Sequence, residues 1–72
     1  MSDNINNPKH YTSGNIEVLD FIEDQKLNYH LGNVLKYVCR AKHKGSYLDD
    51  LKKARFYLDR EIGNEIDRLT KN

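Results

Sequence analysis

Asn33, Tyr37, Arg40 and Lys44 follow one another at spacings of four, three and four residues. In an α-helix that spacing brings all four to one side, and Lys36 stands at its margin. An amide, a phenol and a row of cations suit a ligand that carries both phosphate and an aromatic base. Arg40 and Lys36 would meet phosphate, Tyr37 or Tyr11 would stack on the base, and Asn33 would hydrogen-bond the base edge or ribose. The plainer alternative is the solvated face that any surface helix turns to water. A second candidate group lies in Asn7-Pro8-Lys9-His10-Tyr11. Pro8 biases Asn7 towards extended backbone, and His10 with Tyr11 supplies a donor, an acceptor and a stacking ring. Its alternative is a terminal tail whose Tyr11 covers the edge of the core.

Other chemistries are poorly supported. The chain has no Gly-x-x-x-x-Gly-Lys-Ser/Thr loop, no Gly-x-Gly-x-x-Gly turn and no nucleophile-elbow sequence. Cys39 and His43 are four apart, as two zinc ligands on one helix would be, but two ligands do not make a site, and no metal or cofactor is expected. Cys39 reads better as a small apolar residue. A net charge of +1 gives no general attraction to nucleic acid or anionic membranes, so any anion site has to be made locally. The acidic Asp49, Asp50, Asp59, Glu61, Glu65 and Asp67 argue further against a nucleic-acid reader.

The elements that must position these residues are helical. With 72 residues the chain is a single domain, an arm over 1–13 followed by a helical core over 14–72. Its apolar share of 38% makes that core thin. Asn15 offers a cap for a first helix over about 15–24, with Ile16, Leu19 and Ile22 buried and Glu17 in the first turn. Asn28 offers a cap for a second helix over about 29–44, with Leu31, Val34, Leu35 and Val38 as its core face and Gly45 as its stop. Ser46 begins a third helix over about 47–69, carrying Leu48, Leu51, Ala54, Leu58, Ile62, Ile66 and Leu69 as its stripe. The third helix outreaches the second, so Ile62, Ile66 and Leu69, together with Phe56, are expected to form an interface between copies. A single cysteine, no apolar run near the roughly 20 residues of a membrane span and no signal-like start point to the cytoplasm.

Four blocks carry a resemblance: Asn7 to Tyr11, Gly14 to Val18, Leu31-Gly32-Asn33-Val34-Leu35-Lys36-Tyr37-Val38-Cys39-Arg40-Ala41, and Asp50 to Leu58. Over about 7–62 the chain resembles a small phage-encoded family labelled as a domain of unknown function, DUF3310. That family also forms part of an unusual phage deoxynucleoside monophosphate kinase. Its usual second glycine before Ile-Glu-Val is Asn15 here. The resemblance implies a tailed-phage origin, an oligomer and a nucleotide-type ligand. It favours His10, Tyr11, Asn33, Lys36, Tyr37 and Arg40 as parts of a site. The expectation is a nucleotide-binding homo-oligomer in the host cytoplasm, sequestering a nucleotide or a nucleotide signal of host defence. The alternatives are phosphoryl transfer between nucleotides, or a helical module that binds nucleic acid or protein. No catalytic residue follows from the motifs.

Overall fold

The computed structural model describes residues 14–43 and 45–71. They form three helices, α1 (Val18–Asp24), α2 (Tyr29–Ala41) and α3 (Tyr47–Thr70), the all-α arrangement expected. The helix ends differ by a few residues from the sequence reading. Residues 14–16 bend and Glu17 is extended, so α1 starts at Val18 and Asn15 caps nothing. Asn28 does cap α2, its side-chain oxygen accepting from the Leu31 N–H at 2.9 Å. α2 stops at Ala41, short of 44, where the His43 N–H turns back to the Arg40 carbonyl at 2.9 Å. Gly45 is not the stop expected of it, because α2 already ends at Ala41 with Lys42 in the C-cap position. Ser46 holds the N-cap position of α3 without a side-chain capping bond, and α3 runs unbroken through Gly63 to Thr70.

The left-handed residue is Lys26, with φ of 56°. Its N–H donates to the Glu23 carbonyl at 3.1 Å, and the Leu27 N–H donates to the Ile22 carbonyl at 3.1 Å. This pair of bonds is the Schellman closure of a helix, a place where glycine is the favoured residue. It turns the chain so that Leu27 and Ile22 line the same cleft beside α2. Gly32 sits where α1 crosses, and a Cβ there would stand 3.3 Å from the Ile22 side chain.

α2 lies between its two neighbours, and this corrects the expected core face. α1 approaches the side of Gly32, Leu35 and Cys39. α3 runs antiparallel to α2 on nearly the opposite side. Asn28 and His30 reach Glu61 at one end, and Arg40 reaches Asp50 at the other. The stripe of Leu31, Val34 and Val38 falls between the two contacts, which leaves Val38 48% exposed. Asn33 and Ala41 are buried in its place.

α3 is turned in the same unexpected way. It presents Asp50, Ala54, Tyr57 and Glu61 to α2, and of its apolar stripe only Ala54 is buried. Leu48, Leu58, Ile62, Ile66 and Leu69 are exposed, as are Ile16 and Phe21 near α1. Among the described residues the buried apolar side chains are Val18, Ala41 and Ala54, and the largest fully buried side chain is Asp50. The physical reason is steric: Ala41 and Ala54 let the backbones approach, and bulky leucines would hold them apart.

The α2–α3 pair therefore has two unlike sides. At about 100° per residue, Val38 lies roughly a quarter turn from the α3 contact, on the side where α3 carries Leu51, Leu58, Ile62 and Leu69. Lys36 and Arg40 lie on the other side, with Lys53 and Arg60. Lys53 marks that side directly, its ammonium 5.5 Å from the centre of the Tyr37 ring. Phe56 is also on this cationic side and packs edge-on against Tyr57 at 5.3 Å.

Lys26 is a non-glycine residue at a left-handed position, so replacing it should help. Lys26→Gly is expected to stabilise the fold by about 1 kcal/mol, measured by urea unfolding, while Lys26→Val should destabilise it.

Candidate ligand site

The cationic side is built from α2 upward. Arg40 carries the site's main contact, because its Nε lies 3.6 Å from Oδ2 of Asp50. That separation is a charge contact and too long for a hydrogen bond. Both atoms are closed to solvent and have no hydrogen-bond partner among the described residues. The Asp50 side chain is 2% exposed and that of Arg40 is 30% exposed. Asp50 also sits in the first turn of α3, where the helix dipole favours a negative charge. The arginine is thus held at its Nε, and its two terminal nitrogens have no partner among the described residues.

An aromatic cluster fills the rest of the junction. Tyr37 stacks on Tyr57, the rings 5.9 Å apart and within 9° of parallel. Tyr29 meets Tyr57 edge-on at 6.0 Å, and His30 stands 5.5 Å from Tyr29. Arg40 and Lys53 both lie over the Tyr37 ring, at 5.9 and 5.5 Å from its centre. A cation over a tyrosine face is attracted by the ring quadrupole. Hydrogen bonding with Tyr29, followed by that ring's charge, partial desolvation and Tyr37, raises the Tyr57 phenol above its ordinary pKa.

Beside this junction, between α1 and α2, is a cleft of about 290 Å³. Tyr29, Asn33 and Lys36 contribute its polar lining, and Leu19, Ile22 and Leu27 its apolar wall. The amide nitrogen of Asn33 donates to the Tyr29 carbonyl at 2.9 Å. Lys36 has no ion-pair partner among the described residues and stands one helical turn before Arg40. Glu17, at the mouth of α1, has its carboxyl raised above the usual range by desolvation and then by the neighbouring Asp20. A second cavity of about 250 Å³ is apolar, lined by Ile16, Val18, Phe21, Leu35 and Cys39. Cys39 therefore sits among apolar side chains.

The described residues picked from the sequence divide into two groups. Asn33 and Lys36 line the cleft, while Tyr37 and Arg40 turn to α3 and are occupied there by Tyr57 and Asp50. His10, Tyr11 and Lys44 lie outside the described residues. Asp50, Lys53, Tyr57 and Tyr29 were missed. Asp50, Ala54, Tyr57 and Glu61 are spaced four, three and four along α3, a helical line as regular as the leucine stripe. That line was the available signal, hidden because it is polar.

The buried pair makes an asymmetric prediction. Arg40→Ala strands a sealed carboxylate and is expected to cost about 3 kcal/mol, whereas Asp50→Ala leaves a cation that can swing to water and should cost less. The double variant should match Asp50→Ala in a denaturant double-mutant cycle. Equal costs for the two single variants would show that Asp50 is not dependent on Arg40.

Among the described residues no helix is long and apolar enough to cross a membrane. No curated protein and no solved structure gives a significant match to the chain. One family model does match, over residues 5–59, from the arm to about the middle of α3. The match covers more than half of the chain, which belongs to DUF3310, a family of proteins of unknown function.

Proposed function

We propose that this chain is a nucleotide-binding homo-oligomer of phage origin that holds its ligand without converting it. The observation that carries the reading is Arg40, fixed at one nitrogen by a buried carboxylate and left with its other two nitrogens unpartnered among the described residues. A buried ion pair adds little to stability over apolar contacts of the same volume, so its value lies in positioning. Lys36 and Lys53 flank that arginine, and the cleft lined by Tyr29, Asn33 and Lys36 opens beside it. Phosphate would meet the three cations, and the base or ribose would enter the cleft against Tyr29 and Asn33. Tyr37 serves by supporting Arg40 and Lys53, since its own ring is already stacked on Tyr57. His10 and Tyr11 of the arm would close over the bound molecule. In the cytoplasm of an infected cell such a protein would sequester a nucleotide, including a nucleotide signal of host defence.

The test uses Lys36, which can be changed without disturbing the buried pair. A panel of nucleoside mono-, di- and cyclic phosphates is screened by thermal shift, and the bound compound is released by heat and weighed. An intact compound is expected, and a phosphorylated product would instead indicate phosphoryl transfer. Lys36→Glu should keep the helical signal and weaken binding roughly tenfold to a hundredfold, as expected for one lost charge-assisted hydrogen bond. Failure of every nucleotide in the panel to shift the melting temperature would defeat the reading.

A further inference from the structure

The side of α3 facing away from the cationic groove carries a regular pattern. Leu48, Leu51, Arg55, Leu58, Ile62, Glu65 and Leu69 follow at spacings of three, four, three, four, three and four. This is the alternation of a coiled-coil seam, three heptads long, with two charged residues set into it. Among the described residues no helix covers the seam, although Leu51 is half-buried. Leu48 and Leu69 are each 61% exposed, and Ile62 is 49% exposed. α2 ends its contact with α3 at Glu61, so the second half of α3 has no helix beside it among the described residues.

We infer that a second copy of this chain occupies the seam, with the two α3 helices antiparallel and Arg55 of each copy against Glu65 of the other. The two charges choose the direction. If the helices ran parallel and in register, Arg55 would meet Arg55 and Glu65 would meet Glu65, two like-charge layers within the seam. Run antiparallel about a two-fold axis at Arg60, Leu51 meets Leu69, Arg55 meets Glu65 and Leu58 meets Ile62. Each of these three layers then pairs apolar with apolar or plus with minus, and each occurs twice by symmetry, while Leu48 falls opposite position 72, outside the described residues. Arg55 has no ion-pair partner among the described residues, and Glu65 holds only Arg68, through hydrogen bonds of 2.9 Å and 2.5 Å.

The pairing also places the unsupported half of α3 from each copy beside the leucines of the other, over the shoulder where Val38 is exposed. Asp59 is the cost, since it lies next to the axis and faces its own copy at the solvated rim, where repulsion is screened. Phe56 takes no part, being on the cationic side. The groove around Arg40 stays open on the far side of the pair. This arrangement gives a geometry to the self-association proposed above and is independent of the ligand.

Charge exchange tests it, read by sedimentation equilibrium with helicity followed by circular dichroism. Residues 55 and 65 are ten apart on one helix, about 15 Å, so they cannot compensate each other within a chain. The wild type is expected to be a dimer or a multiple of dimers. Arg55→Glu and Glu65→Lys should each weaken the dimer at least tenfold, and the double variant should restore it. If a single variant also loses helicity, recovery of both helicity and dimer in the double variant supports the pairing equally. Failure of the double variant to recover, or a dimer indifferent to all three variants, overturns the antiparallel register while leaving nucleotide binding untouched. A wild type that stays monomeric at tens of micromolar overturns the pairing altogether.

Discussion

The contact between Arg40 and Asp50 fixes how α2 and α3 face each other. Asp50 is a carboxylate shut away from water in a small helical protein, and it tolerates that position because a guanidinium and the start of α3 both face it. With Asp50 on the contact line, the residues in step with it, Ala54, Tyr57 and Glu61, must also face α2. The opposing line on α2 is then Arg40, Tyr37 and His30. Each rung is a specific pairing: charge on charge, ring on ring, imidazole on carboxylate. Apolar side chains could slide or rotate past one another at similar cost. These rungs cannot.

That rotation decides where everything else goes. Had the leucines of α3 met the leucine and valines of α2, the pair would have an ordinary apolar interior and a polar exterior. Instead the polar line is inside, and the apolar line of each helix is left along one edge of the pair. The cations Lys36, Arg40 and Lys53 gather along the other edge, supported by the Tyr37 ring. One edge thus suits an anion and the other suits a further helix. Among the described residues the buried apolar side chains are one valine and two alanines, a small interior for a chain of this length.

The sequence carried the helices and much of their punctuation, and less of their orientation. Three helices, the Asn28 cap and a third helix running past the end of the second all follow from local chemistry, which sequence records directly. The left-handed Lys26 was not legible, because a residue without glycine's freedom gives no local sign that it will close a Schellman turn. The orientation of α2 was misjudged for a different reason. An apolar stripe marks the side that will be buried somewhere, and the usual inference assigns it to the chain's own interior. Here the stripe is left for an outside surface, and the interior is made by residues that read as a solvated face. Of Asn33, Tyr37 and Arg40, which share one side of the sequence's second helix, Tyr37 and Arg40 are engaged with α3.

This division between edges also bears on why the site would use a buried acid at all. An arginine on an open helix surface samples many rotamers, and a ligand must order it at a cost of side-chain entropy. Tethering its Nε to Asp50 removes most of that freedom before any ligand arrives. The tether is a charge contact at 3.6 Å without a hydrogen bond, so it fixes position while consuming none of the donors on the terminal nitrogens. Because Asp50 belongs to α3 and Arg40 to α2, the arginine is presented only when the two helices are docked in this rotation. The same rotation exposes the Leu48 to Leu69 seam. The cationic edge and the apolar edge are therefore two results of one contact, and a substitution that loosened the junction would be expected to blur both together.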